Sequence, residues 1–306
     1  MLDATHVIVM MVPQGAALDV AVVADLAKSA GAEVLEVRAV PVPVTLSGRR
    51  SVHNLLVKTA DTERLSAKLR DLSDRHEVDI ALQPRAARCQ SYRLAVFDMD
   101  STLIDCEVID ELAAVAGVGE AVADITAQAM RGEIDFDESY RTRLALLAGL
   151  DAAAIDALAD RLPVNEGLRE MVTTLKARGM TLAIFSGGFL PIARRLQADY
   201  GFDEVVANVL EVEHGKVTGR VVPPVINGEH KAEALRNLAH RLGVGLEACI
   251  AVGDGANDLS MMAAAGLGVA FHAKPAVRAA SPIEVTHCGL DGVCYLLGSE
   301  GEFADR

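Results

Sequence analysis

A short apolar strand that ends in two carboxylates constrains this chain more than any other stretch of its sequence. Residues 94–97, Leu-Ala-Val-Phe, form an unbroken apolar run, the pattern of a strand buried on both faces of a parallel sheet. Asp98 and Asp100 follow it, and residues two apart on extended backbone point to the same side. Two carboxylates facing one space repel each other, and a hard cation such as Mg²⁺ would relieve the repulsion. A lone Asp-x-Asp would more often be an ordinary turn.

The same arrangement recurs at two later strand ends. The apolar run 182–185 leads into Ser-Gly-Gly at 186–188, and the run 249–252 leads into Gly-Asp-Gly-Ala-Asn-Asp at 253–258. In open α/β sheets, sites lie outside the carboxyl ends of the strands, so all three sets of residues should meet in one crevice. This repetition favours a functional site over three unrelated turns.

The composition is typical of a soluble protein with about two domains. The 306 residues are 51% hydrophobic and 24% charged, and the net charge of −14 argues against nucleic acid and anionic membranes as partners. No signal peptide is evident, and the apolar runs are too short to span a bilayer. The five cysteines are scattered without metal-ligand spacing. We therefore expect a reducing, cytoplasmic location.

Residues 1–86 are expected to form an α+β domain of ferredoxin-like order. Its patterns predict a strand at 6–12, a helix at 18–30, extended segments at 33–45 and 52–57, a helix at 61–76 and a strand at 78–82. This order resembles that of the ACT domain, a small module that often binds amino acids. The resemblance implies an L-serine effector site and a homodimer, and a dimerisation lobe without a ligand is the alternative. Residues 84–90 are interpreted as a linker.

Residues 87–306 are expected to form a second domain, a Rossmann-like parallel sheet with a helical cap inserted at about 105–163. Helical periodicity runs through 107–116, 120–131, 136–148 and 152–161, with glycines at the breaks. So much helix between two site strands cannot all pack beneath the sheet. A cap over the crevice accounts for it, because a cap excludes water and recognises the substrate.

The motifs along this second domain resemble those of a known superfamily. Asp98-Met99-Asp100-Ser101-Thr102, Ser186-Gly187-Gly188, Lys231 and Gly253-Asp254-Gly255-Ala256-Asn257-Asp258 match, in order, the haloacid-dehalogenase-like phosphatases. Their details are most similar to the phosphoserine phosphatase branch of that superfamily. The resemblance implies Mg²⁺-dependent hydrolysis of O-phospho-L-serine to L-serine and phosphate, the last step of serine biosynthesis.

The acidic residues have the chemistry that such a reaction needs. Asp98 is predicted to be the nucleophile, because a carboxylate can attack phosphorus and form an aspartyl-phosphate. Asp100 is predicted to be the general acid/base that protonates the leaving alkoxide and then activates water. Asp254 and the Asp98 side chain would bind Mg²⁺ together with, by resemblance, the main-chain carbonyl of Asp100. Asp258 is expected to orient a water ligand of the metal.

The phosphate group is expected to bind where the second site strand ends. The Ser186 hydroxyl would donate one hydrogen bond, and Gly187 and Gly188 would let phosphate oxygens approach exposed backbone N–H groups. Lys231 would stabilise charge on the phosphoryl group, although a lone lysine at a helix start is most often a solvated charge. Asn257, in the third motif, is assigned to the substrate by resemblance.

Substrate choice is expected to come from the cap. Arg143 shares a helical face with Phe136 and Tyr140, where an arginine needs an anionic partner; a substrate carboxylate would supply one, and an internal salt bridge is the commoner alternative. Glu107 could be the counter-ion of an α-ammonium group, or only an acid favoured by a helix N-terminus. The resemblance assigns these two residues to the carboxylate and amino groups of phosphoserine, with Met130 and Phe136 lining the pocket.

Two other functions stay open from the sequence. A related phosphomonoesterase or phosphotransferase would use the same aspartate, for example by passing the phosphoryl group from phosphoserine to homoserine. A non-catalytic amino-acid-sensing protein would keep the second domain only as a scaffold. The intact motif set argues against the sensing protein, because a decayed site would be expected to lose at least one acid.

Overall fold

The computed structural model describes residues 3–42, 50–131 and 133–298. The N-terminal part contains the elements β1 (His6–Pro13), α1 (Val20–Ser29), β2 (Glu33–Val40), β3 (Arg50–Lys58), α2 (Thr62–His76) and β4 (Asp79–Pro84). The strands pair antiparallel in the order β2-β3-β1-β4, which confirms the predicted ferredoxin-like arrangement. The predicted end of the first extended segment, near residue 45, lies outside the described residues.

Local sequence signals explain where the two helices of this part begin. Asp19 accepts a hydrogen bond from the backbone N–H of Ala21, and Asp61 accepts one from the backbone N–H of Arg64. An aspartate at this position satisfies a donor that the first helical turn leaves unpaired. Both helices then pack their apolar faces on one side of the sheet.

Strand β1 is apolar on both faces because two different cores cover it. Ile8 and Met10 pack with the residues of α1 and α2. Val7, Val9 and Met11 point the other way and belong to the main hydrophobic cluster of the second domain. The unbroken apolar run of this strand therefore reflects contact with the rest of the chain as well as with its own helices.

Two buried charged side chains of the N-terminal part, those of Arg50 and Asp79, hold it against the second part of the chain. The Arg50 guanidinium forms two hydrogen bonds of 3.1 Å with the Asp291 carboxylate, and both side chains are 2% exposed. Asp79, in β4, accepts backbone N–H groups from residues 286–288. Burial raises the pKa of Asp79, and these hydrogen bonds oppose the shift. The two parts therefore share a polar as well as an apolar interface.

The predicted linker, residues 84–90, packs against the rest of the chain and is not a free tether. They contain a short helix, α3 (Arg85–Arg88), and its Arg88 side chain is buried. Arg88 donates a hydrogen bond to the main-chain oxygen of Tyr295. Two arginines in this short stretch give no local indication that one of them points inward.

The second part is built on a seven-stranded sheet. Its strands are β5 (Leu94–Phe97), β6 (Thr181–Phe189), β7 (Glu204–Glu213), β8 (Lys216–Val222), β9 (Cys249–Gly253), β10 (Leu267–Phe271) and β11 (Glu284–Val285). Their order is β11-β10-β9-β5-β6-β7-β8, and every pair is parallel except β7 with β8. This is the predicted Rossmann-like sheet, and the three site strands β5, β6 and β9 are neighbours at its centre.

The predicted cap is present between β5 and the next helix that packs on the sheet. Its helices are α4 (Val108–Ala116), α5 (Gly119–Met130), α6 (Phe136–Ala145) and α7 (Ala153–Ala159). An isolated bridge between Ile104 and Val164 joins the two ends of this excursion. The whole insertion therefore leaves and rejoins the sheet at one place.

The remaining helices cover the two faces of the sheet. They are α8 (Leu168–Ala177), α9 (Leu190–Tyr200), α10 (Gly228–Leu242), α11 (Leu259–Ala264), α12 (Pro275–Ala280) and α13 (Gly292–Tyr295). Apolar residues of α8 and α9 pack on one face, and those of α10, α11 and α12 pack on the other. Within the described residues, no helix combines the length and the apolar character needed to cross a membrane.

Arg50→Met is expected to lower the free energy of unfolding by about 3–5 kcal/mol, because it leaves the buried Asp291 carboxylate without its cation. Denaturant titration measures this loss. Lys28→Met is the matched control, since Lys28 pairs with Asp25 at 3.1 Å with both side chains largely exposed, and it should cost about 0–1 kcal/mol. Similar losses in the two variants would show that the Arg50–Asp291 pair does not hold the interface.

Candidate active site

Polar residues from three neighbouring strands meet at one edge of the sheet. Residues 94–97 of β5 pair in register with 181–184 of β6 and with 249–252 of β9, so the carboxyl ends of these strands coincide. Beyond those ends, one carboxylate oxygen from each of Asp98, Asp254 and Asp258 lies within 4.8 Å of the others. The acids that follow β5 and β9 therefore converge at one edge of the sheet, as expected from the sequence.

Lys231 lies at the centre of this acidic cluster. Its ammonium is 2.7 Å from Oδ1 of Asp98 and 2.7 Å from Oδ1 of Asp258, and its side chain is fully buried. Burial lowers the pKa of a lysine, but the carboxylates of Asp258 and Asp98 outweigh it and raise the pKa of Lys231 above its ordinary value. The alternative of a solvated lysine is therefore wrong.

Close backbone contact explains how Lys231 reaches this position. Helix α10 begins at Gly228, and Asn227 caps it by accepting the backbone N–H of His230. A Cβ atom at Gly228 would lie 2.7 Å from the main-chain oxygen of Asn257. Only glycine lets the helix start this near the third motif, and Lys231 then projects into the cluster.

The acidic cluster fits a metal ion. Its donors are carboxylate oxygens, which hard divalent cations prefer. Burial and the Asp258 charge raise the pKa of Asp98, and burial raises the pKa of Asp254 to about 6. The neighbouring acids therefore destabilise each other's charged forms, and a bound cation would reverse this effect.

Asp98 and Asp258 differ in how many of their carboxylate oxygens the protein contacts. Both described contacts of Asp98 fall on Oδ1, which meets Lys231 and the backbone N–H of Met99. Asp258 uses both oxygens, because Oδ1 meets Lys231 and Oδ2 accepts the backbone N–H of Gly255. Asp98 thus has an oxygen available for a ligand, whereas Asp258 is occupied by the protein.

Asp100 stands apart from this cluster and faces the cap and residues 186–188. Its Oδ1 accepts the backbone N–H of Val108 at 3.0 Å, and its Oδ2 lies 3.4 Å from the Ser186 hydroxyl. Burial and the charge of Glu107 raise the pKa of Asp100 to about 7. A carboxyl group with such a pKa can both give and take a proton near neutrality.

Residues 186–188 form a bulge that approaches Asp100. The pairing of β6 with β7 shifts register between Phe185 and Phe189, so the residues between them leave the ladder. The Ser186 hydroxyl accepts the backbone N–H of Gly188 at 2.8 Å. A Cβ atom at Gly188 would lie 2.3 Å from Oδ2 of Asp100, so the loop can approach the acid only with glycine here.

The Glu107 side chain turns toward Ser101 and Lys274 rather than toward its own helix. It occupies the N-cap of α4, but its side chain makes no capping hydrogen bond. Its Oε1 lies 3.0 Å from the Ser101 hydroxyl and 3.8 Å from the Lys274 ammonium. The simpler interpretation, an acid that only stabilises a helix N-terminus, therefore does not describe its contacts.

Arg143 lies half-buried in α6, whereas Arg141 is exposed. Its guanidinium has a hydrogen bond of 3.4 Å to the Thr126 hydroxyl, and it forms no ion pair with a carboxylate of the described residues. Burial and the Asp100 charge raise the pKa of Tyr140, one turn earlier, which places this helix beside the site. Arg143 therefore does not form the alternative predicted from the sequence, an internal salt bridge, with any of the described residues.

For three other residues predicted to bind the substrate, the structure gives no contact that tests the prediction. Asn257 is half-buried in the short turn Ala256–Asp258. Met130 ends α5 and Phe136 begins α6, and their side chains lie outside what the structure describes. Their assignment to the substrate stays a prediction.

The structure also brings in residues that the sequence reading did not assign. Asn208, on β7, donates to the main-chain oxygen of Gly187 and accepts the backbone N–H of Ile226, so it supports the bulge at residues 186–188. Lys274 lies 3.5 Å from Oδ2 of Asp254. A lysine in the short loop that follows the buried strand β10, at a fourth strand end, was the signal that could have identified Lys274.

The family model of the haloacid dehalogenase-like hydrolases matches residues 92–266, more than half of the chain. The chain belongs to this family, and its site is that of a hydrolase built on a Rossmann-like sheet. Among curated relatives, it is 45% identical over 252 residues to a phosphoserine phosphatase from Streptomyces coelicolor. That match covers 81% of this chain and 62% of the relative, so the chain spans about three fifths of the relative's length.

Solved structures give the same family. A haloacid-dehalogenase family hydrolase from Salmonella enterica superposes with a TM-score of 0.85 at 30% identity, over 96% of this chain and 99% of the other. A phosphoserine phosphatase determined as a phospho-aspartyl intermediate analogue superposes with a TM-score of 0.64 at 39% identity, over 68% of this chain and all of the other (100%).

Gly188→Ala is expected to lower kcat for hydrolysis of p-nitrophenyl phosphate by about 10²-fold, because the added methyl group displaces either the loop or Asp100. Gly119→Ala is the control, since a Cβ atom there would meet only ordinary contacts at 3.8 Å or more. Steady-state kinetics of both variants test the expectation. A Gly188→Ala enzyme with wild-type kcat would mean that the loop need not approach Asp100 this closely.

Proposed function

We propose that the protein is a Mg²⁺-dependent phosphoserine phosphatase that acts in the cytoplasm in the last step of serine biosynthesis. It hydrolyses O-phospho-L-serine to L-serine and phosphate through a phosphorylated aspartate. The observation that carries the substrate choice is the pair of charges at the cap, Arg143 without a carboxylate partner among the described residues and Glu107 turned toward the site. Phosphoserine carries a carboxylate and an ammonium group that complement them.

Asp98 is the proposed nucleophile. Lys231 and the backbone N–H of Met99 hold its Oδ1, which orients the carboxylate and leaves Oδ2 to attack phosphorus. A bond forms between this oxygen and phosphorus as the bond from phosphorus to the serine oxygen breaks. The phospho-aspartyl intermediate analogue of the related phosphoserine phosphatase supports this route.

Asp100 is the proposed proton carrier. It gives its proton to the serine oxygen as that oxygen leaves, and its carboxylate then takes a proton from the water that attacks the aspartyl-phosphate. The second attack releases phosphate and restores Asp98. The raised pKa of Asp100, about 7, supports a group that is protonated in one half-reaction and ionised in the other.

The remaining residues bind the phosphoryl group and the cation. Ser186 and the backbone N–H groups of Gly187 and Gly188 would bind phosphate oxygens. Asp98 and Asp254, with the main-chain oxygen of Asp100, would hold Mg²⁺, which when bound neutralises charge on the phosphoryl oxygens. Asp258 would position these groups by accepting hydrogen bonds from Lys231 and from the Gly255 N–H group.

The N-terminal domain is proposed to regulate the enzyme or to join two copies. Its ferredoxin-like order supports an ACT-like role, with L-serine as the effector and a homodimer as the assembly. Both faces of its sheet are covered within the chain, so a partner copy would meet its helices or its edge strand β2. Sedimentation with and without L-serine measures both properties.

Asp98→Asn is expected to abolish phosphate release from O-phospho-L-serine in the presence of Mg²⁺, because it removes the nucleophile. Phosphate release by the wild-type enzyme, measured with Mg²⁺ and with a chelator, is the reference. A wild-type enzyme that consumes phosphoserine with added homoserine but releases no phosphate would instead be a phosphotransferase. Substantial activity of the Asp98→Asn enzyme would contradict the covalent mechanism.

Arg143→Ala is expected to lower kcat/KM for O-phospho-L-serine by an amount equivalent to about 2–5 kcal/mol, because the substrate carboxylate loses its charged partner in a closed site. Hydrolysis of p-nitrophenyl phosphate, which lacks both amino acid groups, should change far less.

Arg141→Ala is the matched control for this experiment, since Arg141 lies two residues away on the exposed face of the same helix. It should leave both substrates unaffected. Equal losses on the two substrates in Arg143→Ala would assign Arg143 to the packing of the cap and remove the main support for phosphoserine.

A further inference from the structure

Lys274 contacts both the catalytic domain and the cap at the mouth of the site. Its ammonium lies 3.5 Å from Oδ2 of Asp254 and 3.8 Å from Oε1 of Glu107, and its side chain is 51% exposed. Within the described residues, the only lysines or arginines that form ion pairs with Asp98, Asp254, Asp258 or Glu107 are Lys231 and Lys274. Lys231 contacts the cluster from its buried side, and Lys274 contacts it from the partly exposed side.

The backbone that carries Lys274 is held in place from several directions. Its N–H group donates to the main-chain oxygen of Asp254 at 3.1 Å, and Pro275 starts helix α12 directly after it. Two residues earlier, His272 has a left-handed conformation with φ of 42°. The His272 ring stacks on Phe271 and its Nε2 lies 2.9 Å from the main-chain oxygen of Cys288. The position of Lys274 is therefore determined by the fold.

The contacts of Glu107 show what Lys274 can do there. Both described contacts of its carboxylate, from the Ser101 hydroxyl and from Lys274, fall on Oε1. The other oxygen, Oε2, has no partner among the described residues. Two donors on one oxygen orient the carboxylate, and the second oxygen is then presented to an incoming cationic group.

Lys274 also separates two like charges. Its ammonium lies within ion-pair distance of Oδ2 of Asp254 and of Oε1 of Glu107, at 3.5 Å and 3.8 Å, so the two carboxylates share one cation. The positive charge of Lys274 offsets the mutual repulsion of the two carboxylates and so favours the position that Glu107 occupies beside Asp254.

We propose that Lys274 is a positioning residue that orients Glu107 toward the ammonium group of an amino acid phosphomonoester. It thereby contributes to the choice of phosphoserine over phosphate esters without an amino group. This inference depends on the proposed function, since Glu107 must be the residue that meets the substrate ammonium. Lys274 itself touches neither the phosphoryl group nor the attacking oxygen in this role.

Lys274→Gln tests the proposal, with Lys274→Arg as the variant that keeps the charge and Lys28→Gln as the exposed control. KM for O-phospho-L-serine should rise about five-fold in Lys274→Gln, the upper range for a partly exposed ion pair, with little change in kcat. Its kcat/KM for p-nitrophenyl phosphate should stay within about two-fold of wild type, because that substrate does not use Glu107. Lys274→Arg and Lys28→Gln should resemble wild type on both substrates.

A double-mutant cycle with Glu107→Gln shows whether the effect passes through Glu107. In that background, Lys274→Gln should cause no further rise in KM for phosphoserine, because the carboxylate that it positions is already absent. Additive losses in the two variants, unchanged KM in Lys274→Gln, or equal losses on the two substrates would each overturn the proposal.

Binding of Mg²⁺ to the substrate-free protein, measured by calorimetry, gives a readout that is independent of activity. Lys274→Gln should bind Mg²⁺ at least as tightly as wild type, because it removes a positive charge beside Asp254. Weaker binding would assign Lys274 to the metal site and overturn its proposed role. A wild-type enzyme that releases no phosphate from phosphoserine would overturn the proposed function itself, whatever the Lys274 variants do.

Discussion

The buried ammonium of Lys231 is the interaction on which the rest of the site depends. It pairs with Asp98 and Asp258 at 2.7 Å each, in a place where none of the three side chains has appreciable contact with water. Burying an unpaired charge is unfavourable for a carboxylate and for a lysine alike. The three groups are stable only together, so β5, β9 and α10 must bring them to one point.

Close approach of backbones makes that convergence possible. At Gly253 a Cβ atom would lie 2.4 Å from Cγ of Asp258, and comparable overlaps would arise at Gly188 and Gly228. Each of these glycines lies where one element passes against a side chain or carbonyl of another. These glycines therefore allow atoms of a neighbouring element to approach the backbone closely. This close approach sets the distances between the acids.

Hydrogen bonds and a buried ion pair connect the N-terminal domain to the segments beside this site. Asp79 holds the backbone of residues 286–288, and the carbonyl of Cys288 in turn meets His272 in the loop that carries Lys274. With the buried pair of Arg50 and Asp291, these contacts make the last strands of the sheet part of the interface. A short series of hydrogen bonds therefore connects the N-terminal domain to the loop that carries Lys274.

Local pattern was enough to predict the two sheets, the cap helices and the three strand ends, because apolar periodicity and turn residues report on a segment's own conformation and burial. It was not enough for Lys231, whose place in a first helical turn looks the same whether the ammonium is solvated or enclosed by acids. Local pattern also did not predict that the rest of the chain would cover the second face of β1, or that Lys274 would contact Glu107. Those features depend on which distant segments become neighbours, and only the tertiary structure decides that, because the energy of a buried charge is set by its partners in space.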